Sequence, residues 1–240
     1  MNRMALLRGK PYKVNDKITI YQPTLGEIEE YGEIRYLQLV SNLTATSYDC
    51  RFQLDDMGID YEDIDDFTMF CMMFKLFKQE DTAILFGDLD FQKFELMVKD
   101  ESEIVLRDQE NDINIDIIVY ELIVSYLRQI HGLKRNFLVA GNKMAKQFLL
   151  KEERSNLELQ MKNKKSDDES QYAPLILSIV NCSEFKYDFE SVFNLPVYTF
   201  MESIKQIQKM ISYKNLMIGI YTGNVDSKNI PKEDKTWISE

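Results

Sequence analysis

The sequence predicts a mainly α fold of the α+β class: a helical domain with an N-terminal strand and a small antiparallel meander. Helix breakers are scarce, with nine Gly and five Pro in 240 residues, which favours long helices over a many-turned β-sandwich. Several segments carry apolar side chains every three to four residues, as amphipathic helices do. Near residues 93–115, short apolar runs alternate with polar clusters, a pattern typical of short antiparallel strands.

The N-terminal strand is expected between Tyr12 and Tyr21. The run Ile18-Thr-Ile20 is β-branched, and β-branched residues are enriched in strands. Pro23 follows and cannot donate to a strand ladder, so we expect the strand to end before it.

A helix is predicted directly after this strand. Thr24-Leu-Gly-Glu27 matches a capping box, in which Thr24 accepts the N–H of Glu27 and Glu27 accepts the N–H of Thr24. The helix should continue to about Leu43. Gly32 lies inside it and weakens it by about 1 kcal/mol relative to Ala.

Three elements are expected in the following part of the chain. Phe67–Phe77 is apolar almost all round and is too long for most strands, so it is predicted to be a buried helix. Residues 93–115 then form the meander. A strong helix should begin at Asp116 and end at about His131, with Gly132 as its stop.

A basic block, residues 134–166, lies between two acidic parts of the chain. It has nine basic and three acidic side chains, net +6. Residues 1–133 have net −13 (13 basic, 26 acidic) and residues 167–240 have net −4 (7 basic, 11 acidic), so the chain sums to −11. A helix is expected over residues 141–163. Its candidate partner-binding lysines are Lys143, Lys146 and Lys151.

Two interpretations of this block stay open. Charge runs are usually solvated helix faces, and this one could also contact the acidic N-terminal part of the same chain. Alternatively, the block is a docking surface for an acidic partner.

A second candidate surface lies on a helix that Pro196 opens. The fixed φ of proline suits the first turn, where its missing N–H is not needed. Five apolar residues follow at spacings of 3, 4, 3 and 4, and therefore lie on one stripe of the helix. They are Val197, Phe200, Ile204, Ile207 and Ile211. Such a narrow seam packs against a partner, either inside the molecule or outside it.

The chain is predicted to divide into three parts. Residues 1–132 form an α+β part with the strand, helices and meander. Residues 133–171 hold the basic helix and a polar linker, of which 164–171 is the most polar stretch. Residues 172–240 form a C-terminal helical part.

No residue pattern in the sequence points to catalysis. His131 is the single histidine, and one histidine cannot make a two-histidine metal site. The cysteines have neither disulfide-framework nor zinc spacing, and there is no phosphate-binding glycine loop, nucleophile elbow or dinucleotide fingerprint. We therefore expect a protein that is not an enzyme, with no catalytic residue, no metal and no cofactor. His131 is expected to favour the helix dipole at a C-terminus.

Seven acidic residues between Asp55 and Asp66 raise the question of calcium binding. The segment Asp56–Glu62 lacks the glycine at loop position 6 and the alternating oxygen ligands of an EF-hand. A solvated acidic loop with a helix N-cap is the preferred interpretation.

Overall charge argues against binding to nucleic acids, and hydropathy argues against a membrane span. The net charge of −11 disfavours binding to the phosphate backbone of nucleic acids. No window approaches 18 uncharged apolar residues, so no membrane span is expected.

Several stretches resemble an uncharacterised protein family of tailed bacteriophages and prophages of Gram-positive bacteria. The residues that carry the resemblance are Lys17–Ile28, Asn42–Thr46, Leu54–Tyr61, Asn194–Phe200 and Leu216–Asp226. These are turn and helix signatures rather than active-site signatures, so the family supplies no catalytic residue.

The resemblance implies a role in phage virion morphogenesis. The strand followed by Pro-Thr-Leu-Gly-Glu resembles the opening of tail-assembly chaperones, which bind tail proteins during assembly. We therefore expect a non-catalytic assembly chaperone in the host cytoplasm, with other phage tail or virion proteins as partners and self-association as a further option. The alternative is a permanent virion component, such as a tail, baseplate or connector protein.

Overall fold

Helices make up most of the structure. The computed structural model describes residues 2–99, 103–162, 170–226, 228 and 230–238. Its helices are α1 (Arg3–Leu7), α2 (Leu25–Tyr31), α3 (Glu33–Thr44), α4 (Arg51–Asp56), α5 (Asp66–Met73), α6 (Gln79–Phe86), α7 (Ile117–His131), α8 (Lys143–Lys162), α9 (Tyr172–Val180) and α10 (Val197–Tyr221). Its strands are β1 (Tyr12–Lys13), β2 (Thr19–Ile20), β3 (Glu95–Lys99), β4 (Glu103–Asp108) and β5 (Ile113–Ile115). Short 3-10 turns lie at Tyr61–Asp63, Phe74–Leu76, Phe91–Lys93, Ser191–Asn194 and Lys232–Lys235. The mainly α, α+β fold is confirmed.

The N-terminal strand is a hairpin rather than one continuous strand. β1 and β2 pair antiparallel, with Tyr12 opposite Ile20 and Lys13 opposite Thr19. Between them, the Asn15 side chain accepts the backbone N–H groups of Lys17 (2.9 Å) and Ile18 (2.7 Å). Asparagine commonly turns a chain in this way, and the propensity of the flanking residues did not predict it.

The predicted helix after the strand is present but divided in two. The capping box is confirmed: Thr24 Oγ1 accepts the N–H of Glu27 (3.2 Å), and Glu27 Oε2 accepts the N–H of Thr24 (2.7 Å). Gly32 has a φ of +100°, ends α2 and begins α3. This backbone conformation is open to glycine and strained for other residues, so Gly32 breaks the helix rather than weakening it.

The apolar segment Phe67–Phe77 is neither one helix nor fully buried. α5 ends at Met73, and a 3-10 turn follows. Phe67 and Phe70 are buried, whereas Met72 is 42% exposed and Leu76 is 72% exposed. The segment therefore packs through its phenylalanines and Met69, and its continuous apolar run overstated its burial.

The meander and the helix after it occur where the sequence predicted them. The sheet order is β3-β4-β5, and both pairs are antiparallel. Asp116 caps α7 by accepting the N–H of Val119 (2.8 Å), and Gly132 ends the helix with a φ of +65°. Leu106 and Ile115 of the sheet are fully buried, so the sheet packs on the core by this face.

One core connects the two ends of the chain. The buried cluster runs from Leu6 to Phe200, so the predicted parts 1–132 and 172–240 share it. The backbone joins them as well, since the N–H of Val197 donates to the carbonyl of Pro23 at 3.0 Å. The domain boundaries drawn from the sequence stay a prediction. Of the predicted linker 164–171, residues 164–169 lie outside the described part of the chain.

α9 is held to α3 by an acidic cap. Glu33 Oε1 accepts the backbone N–H groups of Gln171 (2.6 Å) and Tyr172 (2.8 Å), and the Ser170 hydroxyl donates to its other oxygen. A carboxylate at a helix N-terminus satisfies free N–H groups and complements the helix dipole. Glu33 therefore fixes where α9 begins, across a long separation in sequence.

α10 is longer than the seam that predicted it. It spans 25 residues and includes the segment after Ile211, because no Gly or Pro interrupts residues 197–218. It ends at Tyr221 and is capped by Thr222, after which Gly223 takes a φ of +75°. Only the first turn of α10 is fully buried, and its C-terminal half becomes more exposed, with Tyr221 at 86%.

Candidate protein interaction site

α8, the helix of the basic block, packs on the acidic segment, residues 55–66. We call the face that makes this contact the inner face; its residues are Lys146, Leu150 and Glu153. Lys146 Nζ pairs with the Asp60 carboxylate and with Glu62 Oε2 at 3.0 Å. Leu150 packs against a small buried cluster formed by Leu54, Tyr61 and Met69. The spacing of 4 and 3 residues places these three side chains on one side of α8.

Ion pairs reinforce the inner face. Arg51 Nε lies 3.0 Å from Glu153 Oε2, and Arg51 is nearly buried. Arg154, beside the inner face, pairs with Asp56 of α4. Burial raises the pKa of Glu153, and the Arg51 charge opposes that rise. Partly buried pairs of this kind resist salt screening better than exposed ones.

Both partners of Lys146 shift its pKa in the direction opposite to the effect of burial. Burial acts to lower the pKa of Lys146, but the hydrogen bonds to Asp60 and Glu62 outweigh it and raise that pKa. The bond from Lys146 also lowers the pKa of Asp60. Both groups are therefore charged at neutral pH, and Lys146 holds α8 to the acidic segment.

The opposite side of α8 is exposed and partly apolar. At about 100° per residue, positions 144, 148, 151 and 159 lie on the side away from the inner face. We call this the outer face; its residues are Met144 (81% exposed), Phe148 (67%), Lys151 and Leu159 (54%). Large apolar side chains with this exposure, repeated along one face, are typical of a protein interaction site.

The segment before α8 adds further exposed apolar side chains. They are Phe137, Leu138 and Val139, at 67%, 56% and 63% exposed. The start of this segment is held in place, because Arg135 Nε pairs with Asp66 at 2.9 Å and Asn136 Nδ2 donates to Asp49 at 2.9 Å. Sequence reasoning named the lysines of this region but not its apolar residues, although their run in the sequence was a usable signal.

The three candidate lysines therefore differ in environment. Lys146 contacts the acidic segment of the same chain, which supports the interpretation of an internal partner for this residue. Lys143 and Lys151 are exposed. A role for the three lysines in binding a partner protein stays a prediction.

The burial of the predicted seam of α10 decreases along the helix. Val197 and Phe200 are fully buried in the core, and Ile204 and Ile207 are partly buried against it. Ile211 is 39% exposed. The seam thus packs inside the molecule at its N-terminal end and reaches the surface at Ile211, and its binding to another protein stays a prediction.

Most of the acidic residues between Asp55 and Asp66 make structural contacts. Asp65 Oδ1 caps α5 by accepting the N–H of Thr68 at 2.7 Å, and Asp66 pairs with Arg128 and Arg135. Within the described residues, no group of three His, Cys, Asp or Glu side chains has the geometry to hold a metal ion. The same part of the chain contains no helix long and apolar enough to cross a membrane.

His131 is the last residue of α7 and is buried. Its Nε2 lies 2.6 Å from the Tyr36 hydroxyl, and its Nδ1 lies 2.7 Å from the carbonyl of Leu127. Burial lowers the pKa of His131 to about 4. The imidazole is therefore neutral at pH 7, which corrects the expectation that it favours the helix dipole as a cation. In this state Nδ1–H donates to Leu127 and Nε2 accepts from Tyr36.

A comparison with protein families relates one part of this chain to phages. Residues 163–240 match a family model described as the second domain of YomV. YomV is a Bacillus prophage-type protein, so the last third of the chain is similar to a phage-associated domain. No curated protein and no solved structure matches the chain significantly.

The matched region contains two of the five stretches on which the phage resemblance rests, Asn194–Phe200 and Leu216–Asp226. The first stretch enters the core through Val197 and Phe200. The match to a prophage-type domain agrees with the phage resemblance of these two stretches. The outer face of α8 lies before the matched region.

Proposed function

We propose that this protein is a non-catalytic tail-assembly chaperone of a phage, which binds tail proteins in the host cytoplasm through the outer face of α8. The observation that carries the proposal is that one face of this helix packs on the same chain while the opposite face is exposed. Its inner face is fixed by Lys146, Leu150 and Glu153, so its outer face is held in position without a partner. A preorganised face costs less ordering on binding than a flexible one.

The outer face has the composition of a site for apolar segments. Met144 and Phe148 are one helical turn apart, and both are more than half exposed. Methionine adapts to irregular partner surfaces, and an aromatic ring supplies a large apolar contact. An assembly chaperone needs this combination because it covers apolar surfaces of subunits that are not yet packed together.

The charges around the outer face indicate the chemistry of the partner. Lys151 is exposed in the outer face, whereas Lys143 is exposed on the side of α8 toward the acidic segment, where it lines a cavity with Asp55, Asp60 and Glu62. Cations at the rim of an interface favour acidic partners and speed their approach. The expected partner segment is therefore apolar, with an Asp or Glu side chain that can reach Lys151.

The environments of the reactive side chains favour binding over catalysis. Burial lowers the pKa of His131, and the ring is already hydrogen-bonded to Tyr36. Burial also raises the pKa of the Cys71 thiol to about 12, so the nucleophilic thiolate is not populated at neutral pH. These features are consistent with a binding protein that needs no cofactor.

The proposal is tested by capture of tail proteins from cells in which the phage is being assembled. The tagged chain should retain tail proteins, and the variant Phe148→Asp should lose them, because it places a charge in an apolar contact. Asn156→Asp is a matched control that adds the same charge at an exposed position of α8 away from the outer face. Both variants should unfold at the wild-type temperature.

Two results would overturn this assignment. Equal retention of tail proteins by wild type and Phe148→Asp would show that the outer face is not the binding site. Loss of tail proteins by both variants would point to a general charge effect. A permanent virion component is the second candidate function, and it differs from a chaperone in its presence in mature particles.

A further inference from the structure

The edge strand β3 carries an exposed apolar run. β3 lies at one end of the order β3-β4-β5, and in the part of the chain that the structure describes no strand lies on its other side. All five of its residues are exposed, including Leu96 (53%), Met97 (38%) and Val98 (67%). A free strand edge is a template for pairing with another strand, and proteins usually protect such edges.

One face of the sheet is apolar from the core to this edge. Leu96 lies opposite Leu106, and Val98 lies opposite Ile104. Directly opposed residues point to the same side of a sheet. Leu106 is fully buried, whereas Leu96 and Val98 extend the same face into solvent. The apolar face is therefore incomplete at the β3 edge.

The other face carries alternating charges. Glu95 lies opposite Arg107, and Lys99 lies opposite Glu103. Met97 lies between Glu95 and Lys99 on this face, since strand side chains alternate with a period of two. β3 thus has an acidic residue at one end, a basic residue at the other and an apolar residue at its centre.

We propose that β3 pairs antiparallel with β3 of a second copy of this chain, about a two-fold axis at Met97. This register places Glu95 opposite Lys99 of the second copy, twice by symmetry. The charges across the four strands then alternate from Arg107 through Glu95 to Lys99 and Glu103 of the second copy. A closed two-fold interface of this kind uses the same patch on both copies.

The same register completes the apolar face. It places Leu96 opposite Val98 of the second copy, so the apolar faces of the two three-stranded sheets join. Moving the axis by one residue would lose both charge pairs: an axis at Leu96 puts Glu95 opposite Met97 of the second copy, and an axis at Val98 puts Lys99 opposite Met97. The charge pattern of β3 is therefore self-complementary in one register, which favours a second copy over an unrelated strand. The proposal does not depend on the proposed function.

Cysteine cross-linking tests both the pairing and its register. In Met97→Cys, the two new thiols face each other across the axis, and opposed strand residues are close enough for a disulfide after a small adjustment of the strands. Mild oxidation should give a covalent dimer. Leu96→Cys is the matched control, because its two thiols do not face each other; it should cross-link only when mixed with Val98→Cys. The wild-type chain, with Cys50, Cys71 and Cys182, gives the background.

Sedimentation velocity provides the second measurement. The wild-type chain should show a monomer–dimer equilibrium in the micromolar range, because one strand pair forms a small interface. Met97→Lys should shift it to monomer, since like charges would then be opposed. The proposal is wrong if the wild type is monomeric throughout, or if Leu96→Cys alone cross-links as fast as Met97→Cys. Pairing of β3 with a strand of another protein would give the first of these outcomes.

Discussion

The Tyr36 hydroxyl lies 2.6 Å from Nε2 of His131, which joins the first turn of α3 to the last turn of α7 inside the core. Tyr36 is fully buried and His131 is 9% exposed. The imidazole must accept this hydrogen bond, since its Nδ1–H donates to Leu127. Protonation of His131 would remove the acceptor and bury a charge, so this contact makes the stability of the fold depend on pH.

Acid should therefore destabilise the protein through His131. Its pKa is about 4 in the folded state and 6.5 as the ordinary value, so the unfolded chain binds the proton more readily. Stability from this group is complete above pH 6.5 and is lost as the pH falls toward 4, in total about 3 kcal/mol. Urea unfolding between pH 7 and about 4 measures it. His131→Gln should show a shallower pH slope than wild type over this window, and equal slopes would contradict the assignment.

The burial of α10 should divide its apolar stripe into two parts. Ile204 packs against the core, whereas Ile211 is 39% exposed. Ile204→Asp places an unpaired charge at a partly buried position and should lower the free energy of unfolding by about 2–4 kcal/mol. Ile211→Asp, the same change on the same helix, should cost less than about 1 kcal/mol. Similar losses for the two variants, measured by chemical denaturation, would contradict the packing of this helix.

The three lysines of α8 should contribute unequally to the free energy of unfolding, as measured by chemical denaturation. Lys146→Gln removes the partner of Asp60 and Glu62 and should cost about 1 kcal/mol, less at high salt. Lys143→Gln and Lys151→Gln change exposed residues and should stay within about 0.5 kcal/mol of wild type. If all three variants unfold alike, the inner face of α8 does not hold this helix to the acidic segment.

Elements with a local signal could be predicted from the sequence. The capping box at Thr24, the helix from Asp116 to Gly132 and the meander depend on side chains within a few residues of each other, and all three occur in the structure. The turn at Asn15 is also local, but it was missed because it depends on the exact contacts of one side chain.

Features set by distant contacts could not be predicted. The Glu33 cap on α9 and the bond between Tyr36 and His131 join residues far apart in the chain, so no periodicity reports them. Burial along a helix is likewise decided by its neighbours. The stripe of α10 has one spacing throughout, yet Phe200 is fully buried and Ile211 is at the surface.

The candidate site was predicted in part. Net charge identified the basic block, and the structure shows that Lys146 contacts the acidic segment. The outer face of α8 follows only once the inner face is known, since Met144 and Phe148 could equally have been core residues. A sequence pattern gives the stripes of a helix, but packing decides which stripe is left for a partner.

Mass spectrometry of purified phage particles tests the central proposal most directly. Cells producing the phage should be lysed, and the lysate and the purified mature particles compared for peptides of this chain and of the tail proteins. An assembly chaperone is released before the particle is complete. We expect the chain to co-purify with tail proteins from the lysate and to be absent from the particles. A fixed number of copies per mature particle would contradict this expectation and establish a virion component.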